Sequence, residues 1–153
     1  MSKNERKAIR EREVFRQFLT SINWPSEIAL FESRPHNEPD ILYNHPCEGK
    51  MAFELVEICS SDVAQEISNV PNGGTSCFIR TKDPTSEILS GKLAKTYQTI
   101  YPVHLLCYTA GRTVSPDDQI VGEIMRIIEY KPVKFQCIWL FGDKTHCLCK
   151  KEK

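Results

Sequence analysis

The segment KMAFELVEIC, residues 50–59, constrains the fold of this chain more than any other part of the sequence. It is apolar at most positions, and only Glu54 and Glu57 place a carboxylate in it. A strand points alternate side chains to opposite faces, so an apolar run of this length needs cover on both faces. We therefore expect a central strand in a sheet that has helices packed on both sides.

The periodicity of the flanking sequence predicts the other elements. Apolar residues at helical spacing predict a leading helix over 4–22. Three more helices are predicted, over 60–69, 85–101 and 115–130. The other predicted strands cover 28–33, 40–44, 77–81, 102–110, 133–142 and 144–151, and 70–76 is a predicted loop. Antiparallel neighbours early in the chain and strand–helix–strand units later predict an α/β protein with a mixed sheet.

Length and composition bound the class of protein. The 153 residues fit one domain spanning 1–153. The formal net charge of +0 gives no global attraction to nucleic acid or to an anionic membrane. No apolar run approaches the roughly 18 residues of a membrane span, and the first residues are too charged for a signal peptide. Seven cysteines, an odd number, favour reduced thiols and a cytoplasmic location.

Two acidic residues stand beside or within the apolar strands. Asp40 begins one predicted strand, and Glu54 lies within the next one. Carboxylates are rarely buried without a partner, because the desolvation cost is high. If the two strands are neighbours, the two carboxylates can converge on a hard divalent cation such as Mg²⁺ or Mn²⁺. The alternative is that Asp40 is an ordinary turn residue and that Glu54 forms a salt bridge.

The residues Pro39-Asp40, followed by a turn and then Glu54 on the next strand, resemble the PD-(D/E)XK nuclease superfamily. The predicted order is also similar: a leading helix, a meander of strands, then helix, strand, helix and strand. The resemblance implies a restriction-endonuclease-like core, in which a central mixed sheet is flanked by helices on both faces. It also implies Mg²⁺-dependent hydrolysis of nucleic-acid phosphodiester bonds, with Asp40 and Glu54 as metal ligands.

The chain departs from this family at the lysine that orients or activates the attacking water. Val56 occupies the corresponding position. In some members the lysine lies on a neighbouring helix, and here the predicted helix 85–101 offers Lys92 and Lys95. Lys92 borders the apolar stripe of that helix, whereas Lys95 lies nearly opposite it, so Lys92 is the better substitute. Glu57 is a candidate third catalytic acid, and Glu13 is a weaker candidate ligand.

Other polar residues give weaker signals. His36 and His45 flank the Asp40 strand and could act as a proton shuttle at the same place, although loop histidines of this kind are more often merely exposed. His104 lies in an apolar run and is expected to be a core histidine. His146, Cys147 and Cys149 resemble half of a zinc site, but no second ligand pair accompanies them.

Three functional hypotheses remain open at this stage. The first is a metal-dependent endonuclease, and the second is a catalytically inactive binding module with the same fold. The third is an interaction protein with an unrelated α/β fold, in which the acidic residues form salt bridges only. The expected partner is nucleic acid rather than membrane, and a homodimer or a protein partner is left open.

Overall fold

The computed structural model describes residues 1–58, 85–109 and 116–151. The predicted helix over 60–69, loop over 70–76 and strand over 77–81 lie outside the described residues. Within the described part, the α-helices are α1 (Lys3–Ser21), α2 (Thr85–Ala94) and α3 (Asp117–Tyr130). The strands are β1 (Phe31–Ser33), β2 (Ile41–His45), β3 (Gly49–Glu57), β4 (Val103–Tyr108), β5 (Cys137–Phe141) and β6 (Thr145–Lys150).

The six strands form one mixed sheet whose spatial order follows the chain, from β1 to β6. The first three strands are an antiparallel meander. Strands β3, β4 and β5 run parallel, and β6 returns antiparallel to β5. The structure therefore confirms an α/β protein with a mixed sheet, and it confirms that β3 is a central strand.

Helices cover both faces of the sheet. On one face, Phe15, Phe18 and Leu19 of α1 pack against Phe53 and Leu55 of β3. On the other face, the apolar stripes of α2 and α3 pack against alternate residues of β4 and β5. The burial of both faces follows from the two-sided apolar pattern of β3, since each face must be removed from water.

Helix α1 begins where the sequence supplies a capping residue. The Ser2 hydroxyl accepts a hydrogen bond from the Glu5 N–H, which satisfies one of the free donors of the first turn. The helix ends at Ser21, and Asn23 follows with a positive φ of 59°. Asparagine tolerates this left-handed conformation better than most residues do, so the chain can turn there toward the sheet.

Two predicted elements differ from the structure. The predicted strand over 28–33 is a 3₁₀ turn at Ile28–Leu30 followed by the short strand β1. The predicted helix over 85–101 ends at Ala94. Beyond it, the N–H of Gln98 donates to the carbonyl of Asn37, and Ile100 is 91% exposed. Tyr97 still packs against Phe135 although the helix has ended, and tertiary hydrogen bonds replace the helical ones.

No helix in the described residues is long and apolar enough to cross a membrane.

His104 is buried in the core, as the sequence predicts. Only 8% of it is exposed, and its ring stacks on Phe53 at a centroid distance of 4.8 Å. Burial lowers the pKa of His104 from 6.5 to about 4, although the Glu48 carboxylate partly opposes this effect. The histidine is therefore neutral in the folded protein at neutral pH.

We expect His104 to make folding stability depend on pH. Between pH 6.5 and about 4, the unfolded chain protonates this histidine and the folded chain does not. The free energy of unfolding should therefore fall as the pH falls through this window, by at most about 1.4 kcal/mol per pH unit. Urea unfolding of wild type and His104→Gln across the window measures this contribution as the difference between the two curves.

The exposed His36 supplies a matched control for this measurement. His36→Gln removes an exposed imidazole, and the His104→Gln curve should be flatter than the wild-type and His36→Gln curves. Parallel curves for all three proteins would show that His104 does not hold a depressed pKa.

Candidate active site

Asp40 and Glu54 lie opposite each other on neighbouring strands. Ile41 of β2 is registered with Phe53 of β3, so Asp40, one residue before β2, is placed across from Glu54. Since Phe53 faces α1, the alternation of strand side chains directs both acidic residues to the face that α2 covers. The Oδ2 atom of Asp40 accepts the Leu55 N–H at 2.8 Å, which holds the carboxyl group at the end of the ladder.

Two lysines complete the cluster. The Nζ atom of Lys92 lies 3.0 Å from Glu54 Oε2, and the Nζ atom of Lys95 lies 3.5 Å from the same oxygen. Lys92 reaches Glu54 from α2, where the sequence places the substitute lysine. The prediction that Lys95 points away was wrong, because α2 ends at Ala94 and Lys95 no longer follows the helical wheel.

The surroundings of Asp40 and Glu54 shift the pKa values of their carboxyl groups in opposite directions. Burial, together with the negative charges of Glu54 and Glu11, raises the pKa of Asp40 to about 7, and the hydrogen bond from the Leu55 N–H partly opposes this effect. Burial also raises the pKa of Glu54, but the ammonium of Lys92, with smaller contributions from Asp40 and Lys95, lowers it overall. Near neutral pH, Glu54 is ionised and Asp40 still holds a proton for part of the time.

Two further residues belong to this environment and were missed by sequence reasoning. Glu11 of α1 is only 7% exposed, and burial raises its pKa, with Lys7 lowering it and Glu54 raising it. Its helical spacing to Phe15 and Phe18 is a signal that could have identified it as inward-facing. The Tyr97 hydroxyl is buried and makes no hydrogen bond to the described residues, and burial and the Glu54 charge raise its pKa.

The other candidate acidic residues lie apart from this cluster. Glu57 occupies the opposite face of β3, and its carboxylate lies 3.9 Å from the Arg10 guanidinium of α1. Glu13 accepts hydrogen bonds from Arg16 and Gln17 on the exposed side of α1, so its selection as a ligand was wrong.

The histidines that flank β2 do not share a site with Asp40. His45 is the last residue of β2, five positions from Asp40 and about 17 Å along the strand. Its Nδ1 atom accepts the N–H groups of Cys47 and Glu48. The shuttle role considered for His45 therefore does not fit its position. His36 is exposed.

The C-terminal histidine and cysteines have separate partners. His146 Nε2 lies 3.1 Å from Asp117 Oδ2, and Cys147 Sγ lies 3.2 Å from Cys137 Sγ. Across the residues that the structure describes, no three His, Cys, Asp or Glu side chains are grouped to hold a metal ion.

Comparisons of this chain with protein-family models, with curated proteins and with solved structures give no match.

Proposed function

We propose that this protein is a Mg²⁺-dependent nuclease of the PD-(D/E)XK type that hydrolyses phosphodiester bonds in nucleic acid. The observation that carries the proposal is the meeting of Asp40, Glu54 and Lys92, which come from three separate segments. These are the three residue types of the family motif. The lysine comes from α2 because Val56 occupies its usual position on the strand.

The order of the elements supports the same proposal. Helix α1 precedes the antiparallel meander β1–β3, and α2, β4, α3 and β5 follow. A restriction-endonuclease-like core is similar in this order, and there the acidic residues also lie on adjacent strands of the meander. We therefore assign a restriction-endonuclease-like core to this chain.

The acidic residues suit a divalent cation. Carboxylate oxygens are the ligands that Mg²⁺ and Mn²⁺ prefer. Burial first, and then the negative charges of Glu54 and Glu11, raise the pKa of Asp40, and a bound cation would favour its ionised form. Asp40 and Glu54 would hold the ion, which supplies charge neutralisation at the phosphate and lowers the pKa of a water molecule.

Lys92 has the position needed to orient a reacting group. An ammonium group has three donors, and the contact with Glu54 uses one of them. A phosphate oxygen or a water molecule beside Glu54 could accept a hydrogen bond from one of the remaining donors. Lys95 contacts the same Glu54 oxygen and adds positive charge for a phosphate group.

One observation favours the alternative of a catalytically inactive binding module. Glu54 already forms ion pairs with two lysines, so its charge is compensated without a metal ion. In that module the cluster would be structural, and the fold would serve contact with nucleic acid or with a protein. Metal-dependent cleavage of nucleic acid distinguishes the two proposals.

The experiment that tests the nuclease proposal has two parts. Isothermal titration of Mg²⁺ and Mn²⁺ into the wild-type protein should give saturable binding. End-labelled single- and double-stranded DNA and RNA should then be cleaved with either ion and remain intact with EDTA. Metal binding without cleavage of any of these substrates would favour the inactive module. Absence of both activities would overturn the proposed site.

Lys92 and Lys95 should differ in their effect on cleavage. Lys92→Met should lower the cleavage rate by about a hundredfold, the usual size of a proton-transfer or orienting contribution, while metal binding is retained. Lys95→Met removes a longer contact to the same oxygen and should cost less than tenfold. Rates measured at saturating metal test this, and equal losses for the two variants would contradict the assignment of Lys92.

A further inference from the structure

Two cysteine side chains meet between the last two strands of the sheet. Cys137 is the first residue of β5, Cys147 lies within β6, and their Sγ atoms are 3.2 Å apart. A disulfide bond is about 2.05 Å long, so the two sulfur atoms need to approach each other by only about 1 Å to form one. The fold therefore holds two free thiols almost at bonding distance.

A bulge in β6 decides which cysteine of that strand reaches the thiol of β5. Cys149 is paired with Ile138 and Cys147 with Trp139, so Leu148 between them has no partner in the ladder. Residues two apart in a regular strand share a face, but this extra residue turns Cys147 and Cys149 to opposite faces. Cys149 packs on the side of α2 and α3. Trp139 packs on the α1 side, and Cys147, paired with it, lies there too.

The two thiols differ in their access to solvent. Cys137 is only 1% exposed, whereas Cys147 is exposed. Burial raises the pKa of the Cys137 thiol, and the contact with Cys147 raises it further, so Cys137 stays protonated at neutral pH. Both side chains line a cavity of about 290 Å³, together with Trp24, His104 and Trp139. An oxidant from solvent therefore meets Cys147 first, and the cavity gives it a path to the pair.

We propose that Cys137 and Cys147 form a reversible redox site that hydrogen peroxide closes to a disulfide. The Cys147 thiolate attacks one peroxide oxygen, and the O–O bond breaks. Cys147 becomes a sulfenic acid, and the departing hydroxide takes up the proton that the Cys147 thiol released, which gives water. The Cys137 sulfur then attacks the Cys147 sulfur, so that the S–S bond forms and the S–O bond breaks. The hydroxyl group leaves as a second water with the Cys137 proton, and two electrons have passed from the sulfur pair to the peroxide.

The disulfide fastens β6 to β5. In the sheet of the described residues β6 is the last strand in the order, so β5 is its neighbour there. The bond closes a loop over 137–147 and removes conformations from the unfolded chain. We expect the thermal unfolding midpoint of the oxidised protein to rise by about 5 °C. An added dithiol reverses the change by thiol–disulfide exchange.

The redox site is independent of the proposed nuclease activity. Cys137 and Cys147 lie on the α1 face of the sheet, whereas Glu54 points to the opposite face of β3. Formation of the disulfide is measured without metal ion or nucleic acid. Failure of the nuclease proposal therefore leaves this one standing, and the reverse also holds.

Peptide mapping after oxidation tests the pair directly. The reduced protein is treated with a small excess of hydrogen peroxide, blocked with N-ethylmaleimide and digested with trypsin. Cleavage after Lys134, Lys144 and Lys150 gives the peptides 135–144 and 145–150, each of which carries one thiol of the pair. A species with their summed mass less two hydrogen atoms is expected. Dithiothreitol should remove this species and also the rise in the unfolding midpoint.

Variants identify the sulfur atoms and their order of reaction. Cys147→Ser should abolish the linked species, and its exposed position makes the substitution compatible with folding. Cys149→Ser is the matched control, because Cys149 is in the same peptide but on the other face of β6, and the link should persist. In Cys137→Ala the sulfenic acid has no second thiol to react with, so dimedone should label Cys147.

Three outcomes would overturn the proposal. The first is absence of the linked species from the wild-type protein at a peroxide dose that oxidises the exposed Cys47. The second is a link that persists in Cys147→Ser or is lost in Cys149→Ser. The third is dimedone labelling of Cys137 rather than Cys147 in the wild-type protein.

Discussion

Replacing Glu54 by glutamine is expected to reduce metal-dependent cleavage by at least about a thousandfold, the size of several kcal/mol of lost charge stabilisation. Glu54 is the centre of the cluster, since it faces Asp40 and contacts both Lys92 and Lys95. Glutamine has the same shape but lacks the negative charge that would hold a divalent cation. The same substitution should abolish Mg²⁺ binding in isothermal titration.

Asp40→Asn should give a loss of similar size while the fold is retained. The remaining amide oxygen of asparagine can still accept the Leu55 N–H, so the local hydrogen bond at the start of β2 persists. Thermal unfolding of each variant checks that the loss is chemical rather than structural.

Glu123→Gln provides a matched control for the acidic substitutions. Glu123 lies on α3 and pairs with Arg126 within the same helix, away from the Asp40–Glu54 cluster. The Glu123→Gln variant should cleave nucleic acid and bind metal as the wild-type protein does. If Glu54→Gln and Asp40→Asn cleave as fast as Glu123→Gln, then the proposed mechanism is wrong.

Replacing Phe15 by alanine is expected to destabilise the protein by about 3–5 kcal/mol, the usual cost of removing a buried aromatic side chain. Phe15 is fully buried and is the aromatic centre of the α1 face of the sheet. Its ring contacts those of Phe31, Tyr43 and Phe53, with centroid distances of 4.8 to 5.6 Å. The substitution leaves a cavity where α1 meets three strands.

Urea denaturation measures this loss as a shift of the transition midpoint at constant slope. Ile9→Ala is the control on the same helix, because Ile9 is 54% exposed and should cost less than about 1 kcal/mol. Similar midpoints for the two variants would show that α1 does not pack on the sheet through Phe15.

Much of the architecture could be predicted from local patterns. The two-sided apolar run of β3 predicts a central strand, and the helical spacing of Phe15 and Phe18 predicts the buried face of α1. These predictions succeed because periodicity depends only on how a strand or a helix orients successive side chains. The C-terminal end of α2 and the 3₁₀ turn at Ile28–Leu30 were not predicted, because they depend on tertiary contacts of residues that have weak local preferences.

In the candidate site too, local patterns predicted some features and tertiary contacts decided the others. The sequence indicated Asp40 and Glu54 as a pair, since a carboxylate in an apolar strand needs a partner. It could not place Lys95 or Tyr97 beside Glu54, because the chain leaves the helix before reaching them and only the fold directs them there. Nor could it separate Glu57 from Glu54 with certainty, since a twist or a bulge would change which face each one occupies.

The sequence by itself determined the class of fold, the central position of β3 and the choice of Asp40 and Glu54 as a pair, because these follow from burial and periodicity along the chain. The tertiary structure alone decided which cations meet Glu54 and that Trp24 and Trp139 enclose a cavity with His104. These pairings join residues far apart in the chain, and their proximity depends on strand register and helix ends. Local sequence patterns do not specify either of these.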